Sequence, residues 1–539
     1  MLNLTMEGLH NRDGYEKAGI SLPEYDAAEV AAYTAENPVW VHFGAGNIFR
    51  GFIAVLQQTL LDKGLQKSGI IAAETFDFDI VDKIYRPFDN LALLVGLKPD
   101  GGMVNSVVAS IAGAYCADRK RPEEFAKLTA AFEHPGLQMV SFTITEKGYA
   151  LTDMNGALLP VVSADMEKGP DEAVHAMGVV ASLLWKRYQA GAYKLALVSM
   201  DNCSHNGEKL RSSVLTIVKE WEKRGFVPAE FTAYLSDEEK VSFPWSMIDK
   251  ITPRPSESVE ACLSGLGVAD MAPVVTSRNT YIAPFVNAEI PQYLVIEDKF
   301  PNGRPQLELA GVYMTDRDTV NNTERMKVTT CLNPLHTALA VYGCMLGYTK
   351  IADEMDDKEL KLLIEKIGYD EGMPVVVDPK ILSPRAFIKE VIEERLPNPF
   401  IPDMPQRIAT DTGLKVPIRF GETMKAYLAS DTLKITDLVY IPLAIAGWLR
   451  YLMGRYDNGE VMEISPDPTA AGVQEALKTV EFGNPASYTG QLKGVLSNTA
   501  LFAVDLCQAG LSERIETMFC EMIAGKGAVR DTLKKYLYR

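Results

Sequence analysis

A chain of 539 residues is too long for one ordinary hydrophobic core, so it divides into at least two domains. With 47% hydrophobic and 23% charged residues it has a globular make-up, and no apolar run reaches the roughly 18 residues of a membrane span. The formal charge of −17 argues against a nucleic-acid surface, and an anionic ligand would need a local cationic pocket within that repulsive field. Seven dispersed cysteines without a CxxC pair, and a polar start over Met1 to Tyr15, lead us to expect free thiols and a cytoplasmic protein.

In chain order, residues 1–36 read as an N-terminal extension with short helices. A strand-like run over 38–43 stops at Gly44-Ala-Gly46, and helical periodicity follows over 52–61. A second strand, 69–73, ends at Glu74; further strands are predicted at 138–144 and 194–200, with helices between them. This alternation predicts a parallel α/β sheet. From about Val312 helical segments dominate, at 335–348, 357–367, 384–395, 420–429, 436–453, 469–479 and 497–522. The expected fold is an α/β N-terminal Rossmann-like domain followed by a mainly α-helical C-terminal domain. Its expected boundaries are an extension over 1–36, the α/β domain over 37–290 and the helical domain over 291–539.

The turn Gly44-Ala-Gly-Asn-Ile48 lies between a strand and a helix. Glycine there permits a tight turn and close approach of backbone to a pyrophosphate at the helix N-terminus, which makes Gly44, Gly46, Asn47 and Ile48 candidate cofactor residues. Phe49 stands where a third glycine is usual, so the fingerprint is incomplete. Glu74 at the next strand end can accept hydrogen bonds from a ribose diol and would repel a 2′-phosphate; Asp77 is the second candidate. No arginine occurs in Thr75-Phe-Asp-Phe-Asp79 to receive that phosphate, so NAD is expected over NADP.

Three polar segments follow apolar runs: Thr143-Ile-Thr-Glu-Lys-Gly148, Ser199-Met-Asp-Asn-Cys-Ser-His-Asn-Gly207 and Met247-Ile-Asp-Lys-Ile-Thr-Pro253. Each alone reads equally as a loop of turn formers. A fourth segment gathers Lys327, Asn333 and His336 ahead of a long apolar helix. A lysine of lowered pKa can take a proton from an alcohol, an asparagine can donate to the resulting oxygen, and a histidine three residues on shares its helical face. The local alternative is a helix start, with Asn333 as N-cap, Pro334 at the first position and His336 packed. The six histidines are dispersed, and none has a second histidine or a cysteine at helical spacing.

Taken in order, these motifs resemble the polyol-specific long-chain dehydrogenases, the mannitol dehydrogenase family. They are the Gly44/Gly46 loop, Thr143–Tyr149, Asp201-Asn202 with Asn206-Gly207, Asp249-Lys-Ile-Thr-Pro253 and Val295–Pro305. Asn398-Pro-Phe with Asp403 and Arg407, then Ala446-Gly-Trp-Leu-Arg-Tyr451, extend them to the C-terminal half. The resemblance covers about 38 to 530 and implies NAD-dependent, metal-independent hydride transfer on a small-molecule polyol or sugar acid. It implies Lys327 as acid/base, Asn202 and Asn333 as donors to the reacting oxygen, His336 orienting hydroxyls, and Asp249 in the substrate's polar network. Among substrates it points to D-fructuronate/D-mannonate first, D-tagaturonate/D-altronate second and fructose/mannitol third. A sugar-acid carboxylate would need a cation, for which Lys147, Lys250, Arg254 and Arg407 are the candidates. The alternative of another class is a binding protein without catalysis.

Two departures carry structural weight: Pro334 stands where relatives usually carry glycine, and the spacing of the lysine differs. The family usually has four residues between its lysine and asparagine, and here there are five. On a regular helix the extra residue turns Lys327 by about 100° relative to Asn333 and His336. Restoring the lysine requires a bulged turn or a helix that restarts at Pro334.

Overall fold

The computed structural model describes residues 1–153 and 155–538, in two compact units, Met1–Asn321 and Asn322–Arg539. In the first unit six strands form one sheet: β1 (Trp40–Phe43), β2 (Ile70–Glu74), β3 (Ile111–Cys116), β4 (Met139–Phe142), β5 (Leu195–Ser199) and β6 (Val241–Ser242). All neighbours are parallel and the spatial order is 3-2-1-4-5-6, the doubly wound Rossmann arrangement. β1, β2, β4 and β5 are buried throughout, as a sheet covered on both faces requires. Their alternate side chains feed two cores: Val41, Phe43, Val140 and Phe142 on one face, Trp40, Met139, Ala196 and Val198 on the other.

The predicted strands and the helix after the glycines are present. That helix contains a π turn, Phe49–Ile53, before the regular stretch Ala54–Asp62. A second sheet was not legible: Ile20–Ser21, Met103–Val108, Ala92–Leu97 and Phe285–Glu289 lie side by side in that order. Residues 1–36 are therefore not a mere extension, because Ile20–Ser21 joins this sheet and Leu2 bridges Val268. A third sheet pairs Ser246–Asp249 with Tyr293–Glu297 and Tyr313–Thr315. The segment after Met247 thus lies on a separate small sheet and not at an end of the Rossmann sheet. Residues 291–321 lie in the first unit, so the division falls at Asn321/Asn322 and not near 290.

The second unit is helical around Asn333–Leu346, whose residues from Leu335 to Met345 are buried apart from His336. A helix apolar on nearly every side belongs in the middle of a bundle, and this one packs against Lys358–Glu365, Pro405–Ala409 and Tyr440–Tyr451. The run 497–522, predicted as one helix, is two, Thr499–Phe502 and Ser512–Met522. Ala503 adopts a left-handed conformation at the end of the first. The helix Ala528–Leu537 is held by Arg530, which donates to both oxygens of buried Asp357 at 2.7 and 2.5 Å and to Glu359 at 3.0 Å. Arg530→Ala strands the Asp357 carboxylate, and the expected cost to the second unit is about 3 kcal/mol in urea unfolding. An unchanged midpoint would mean that Tyr348, which also donates to Asp357, suffices to hold that charge.

Candidate functional site

The first unit's site forms where the strand order reverses, between the C-terminal ends of β1 and β4. Gly44 has φ +104°, and a Cβ there would lie 2.2 Å from the Thr143 carbonyl oxygen, so the crossing of these two strand ends requires glycine. Gly46 differs: a Cβ on it would meet nothing within 4 Å. Asn47 and Ile48 open the helix, with Asn47 Oδ1 accepting from buried Arg50 at 2.7 Å. Phe49, in the third-glycine position, stacks on buried His42 with ring centres 4.2 Å apart. Gly51 supplies the close packing instead, since its Cβ would reach 2.7 Å from Val286.

Glu74 secures this turn. One carboxylate oxygen accepts from Ala45 N at 2.9 Å, and the other from the N–H groups of Thr75, Phe76 and Asp77 at 3.0, 2.8 and 3.2 Å. Burial raises its pKa, opposed by these four donors. Both oxygens expected to meet a ribose are thus engaged by backbone. Asp77 is differently placed: Oδ2 accepts from Thr276 Oγ1 at 2.7 Å, while Oδ1 is buried without a hydrogen-bond partner. Both residues line a cavity of about 1080 Å³ together with Gly44, Gly46, Phe76, Lys147 and Arg278. Open space over Gly46, a helix N-terminus beside it and an unsatisfied carboxylate oxygen fit a dinucleotide's pyrophosphate and ribose.

At the end of β5, Asp201 accepts from the backbone of Ile144 and Thr145, each at 2.9 Å, and from the Tyr149 hydroxyl at 2.6 Å. Burial raises its pKa against those donors. The loop carrying Lys147, which is exposed, is thereby fixed to the loop carrying Asn202. Asn206 extends the chain of contacts, donating to Asp201 O and to Ser246 O and Oγ and accepting from Ser246 N, at 2.9–3.0 Å. Ser246 begins the strand that ends at buried Asp249. Of the expected carboxylate-binding cations here, Lys250 donates to Glu289 O at 2.5 Å and to Gln292 at 3.1 Å, and the Arg254 side chain is exposed.

In the second unit, Lys327 is buried and opens a π turn, Lys327–Cys331, after the helix Arg317–Met326. Leu332 N donates to Lys327 O at 3.1 Å, a five-residue step. Leu332 then leaves helical geometry (φ −132°, ψ −62°), and a new helix starts at Asn333 with Pro334 in its first turn. The bulge and the restart both occur, absorbing the extra residue between Lys327 and Asn333. His336 Nε2 lies 3.1 Å from Asp403, outside hydrogen-bond alignment, and Asp403 accepts from Arg407 Nε and Nη2 at 3.0 and 2.6 Å. Burial lowers the His336 pKa, partly offset by Asp403; Asp403 itself stays low despite burial because of His336 and Arg407.

Two cations that we had not singled out belong to this neighbourhood. Lys415 and Arg419 project from one helix, Thr412–Arg419, at a spacing of one turn. Arg419 donates to Thr337 Oγ1 at 2.5 Å, and its charge helps keep His336 neutral. Lys415 donates to the carbonyls of Ile408 and Thr410, and burial with the charges of Arg419 and Arg407 brings its pKa down to about 8. The i,i+4 pair was the available signal. Among the described residues, no group of three His, Cys, Asp or Glu is arranged to hold a metal ion, and no helix is long and apolar enough to cross a membrane.

Strand order, glycine turn and strand-end carboxylates define the class, a dinucleotide-dependent dehydrogenase. Residues 39–309 match the mannitol dehydrogenase Rossmann domain and 319–523 the mannitol dehydrogenase C-terminal domain; the chain belongs to the mannitol dehydrogenase family. It is 52% identical to D-mannonate oxidoreductase of Thermotoga maritima over 540 aligned positions, covering 100% of this chain and 99% of that protein. Among solved structures it is similar to a D-sorbitol dehydrogenase in substrate-free form (TM-score 0.78, 27% identity, 95% of this chain and 97% of that one). It is also similar to Pseudomonas fluorescens mannitol 2-dehydrogenase in ternary complex with NAD and D-mannitol (TM-score 0.70, 25% identity, 97% of each chain).

The two glycines separate by experiment. Gly44→Ala is expected to lower the thermal midpoint of the ligand-free protein, from a backbone strain of about 1–3 kcal/mol plus the Thr143 clash. Gly46→Ala is expected to leave that midpoint within experimental error and to weaken NADH binding at least tenfold, because the added methyl occupies the space over the loop. NADH titration and calorimetry read both; tight NADH binding by Gly46→Ala would place the pyrophosphate elsewhere.

Proposed function

We propose that the chain interconverts D-fructuronate and D-mannonate with NAD, in the cytoplasm, where its seven free cysteines stay reduced. The observation that carries this reading is the 52% identity, over the whole chain, to a D-mannonate oxidoreductase. NAD, when bound, exchanges the hydride. Gly44, Gly46, Asn47, Ile48 and Asp77 hold the cofactor, with Glu74 keeping the turn in shape.

Lys327 acts as the acid/base. Its ammonium gives the proton to the carbonyl oxygen during reduction, and its neutral amine removes the hydroxyl proton during oxidation. The amides of Asn202 and Asn333 donate to the oxygen on which charge develops, lowering the barrier without a metal. His336, held neutral beside Asp403, can accept from or donate to a substrate hydroxyl with its remaining ring nitrogen, and Asp249 accepts from another. Arg407, Lys415 and Arg419 supply the positive field for the sugar-acid carboxylate. Lys250, which donates to Glu289 O and Gln292, and exposed Arg254 belong to the first unit.

The first test follows NADH oxidation by absorbance with D-fructuronate, D-tagaturonate and D-fructose at matched concentration, with NADPH as control. D-Fructuronate with NADH is expected to react fastest. A preference for D-tagaturonate or D-fructose would move the chain to the altronate or mannitol reaction. Lys327→Ala is expected to lower kcat by about 10²–10⁴-fold and to change the NADH dissociation constant less than about threefold; near-normal turnover would remove Lys327 from proton transfer. For the carboxylate, the sign follows from Lys415: it is charged below about pH 8 and neutral above. KM for D-fructuronate is therefore expected to be flat below pH 8 and to rise above it, and Lys415→Met should abolish that rise.

A further inference from the structure

The cavity of the first unit has one wall that the Rossmann core does not supply. Residues 274–282 form a hairpin, with Val274–Val275 paired antiparallel to Tyr281–Ile282. Its loop reaches the residues just after β2, some 200 positions earlier in the chain: Thr276 Oγ1 donates to Asp77 Oδ2 at 2.7 Å, and Ser277 N donates to Asp79 Oδ2 at 2.8 Å. Thr276 Oγ1 also accepts from the backbone of Arg278 and Thr280 at 3.3 and 3.0 Å, so one hydroxyl fixes both the loop and Asp77. Arg278 thereby lies over the Phe76 ring, 4.8 Å from its centroid. Phe76 is 64% exposed, and both residues line the cavity beside Asp77, whose Oδ1 is buried and unpartnered.

We propose that this hairpin is an adenosine clamp, in which Thr276 aims Asp77 at the ribose diol and the Arg278–Phe76 pair stacks against the adenine ring. The inference deepens the reading of the cavity as an NAD site and rests on it. In a Rossmann domain the carboxylate after β2 meets the adenosine ribose, so the base lies next to the residues flanking that carboxylate. Phe76 flanks Asp77 in sequence and Arg278 flanks it through Thr276. A guanidinium plane and a phenyl ring both present flat surfaces to a purine, and an exposed phenyl at a cavity rim leaves apolar area for a base to cover. Asp77 also sets the preference within the clamp, because a 2′-phosphate would meet its carboxylate.

The test measures dissociation constants of the full-length protein for NADH, NADPH, AMP and nicotinamide mononucleotide, in the wild type and in Phe76→Ala, Arg278→Ala and Arg278→Lys. Each alanine variant is expected to weaken NADH and AMP by about tenfold and leave nicotinamide mononucleotide unchanged, as loss of one stacking surface predicts. Arg278→Lys should resemble Arg278→Ala, because an ammonium has no planar face. Wild-type NADH affinity in both alanine variants would overturn the clamp and leave the NAD reading standing. Loss of NADPH binding alone in Arg278→Ala would also overturn it, reassigning Arg278 to a 2′-phosphate. Failure of the wild type to bind NADH would overturn the cofactor reading and the clamp with it.

Discussion

Backbone N–H groups at the strand ends, those of Ala45 and Asp77 buried, are the constraint on which the first unit depends. An open parallel sheet stops with donors that the loops must satisfy, and an unpaired one costs on the order of 1–3 kcal/mol. Here carboxylates meet that demand. Glu74 accepts from four N–H groups and Asp201 from two, with a phenol besides. Burial disfavours both charges, and the converging donors offset it. The consequence is mechanical, because the glycine turn is tied to the end of β2 and the loop after β4 to the end of β5. The surface on which a cofactor would lie is therefore set before any ligand arrives.

Both units use a π turn where a candidate functional segment begins, Phe49–Ile53 in one and Lys327–Cys331 in the other. A π turn admits one more residue than an α turn and leaves the helix beyond it nearly in phase. In the first unit it accompanies the shift of close packing from the third-glycine position to Gly51, while Phe49 turns inward onto His42. In the second it lengthens the path from Lys327 to Asn333 by the residue that separates this chain from the family's spacing. Pro334 then makes the restart local, since it lacks an N–H and needs no partner in the first helical turn.

What could be read in advance follows from periodicity and from short-range chemistry. β1, β2, β4 and β5 are mainly apolar runs closed by glycine or polar residues, interrupted only by His42 in β1 and Ser141 in β4, and the buried helix Asn333–Leu346 is apolar on nearly every side, so all were legible. The second sheet was not. Its strands come from residues 20, 92, 103 and 285 onward, and no local pattern announces a pairing across such distances. For the same reason Glu74 was legible as a strand-end carboxylate but not as the acceptor for Ala45. Thr276 and Arg278 left no trace, because their meaning lies in Asp77, far away in the chain. The helix predicted over 497–522 failed for a local reason, the left-handed turn at Ala503, which has no glycine to mark it.

Charge is the remaining asymmetry. The chain carries −17 overall, yet around His336 the second unit gathers Arg407, Lys415 and Arg419. Asp403 answers Arg407 directly, and Asp411 and Asp467 offset part of the field at Lys415, but not enough to restore its ordinary pKa. A lysine brought to about 8 marks a place where positive charge is crowded as well as desolvated. Such crowding costs stability in the free protein and is relieved when an anion enters, because the added negative charge stabilises every ammonium and guanidinium around it.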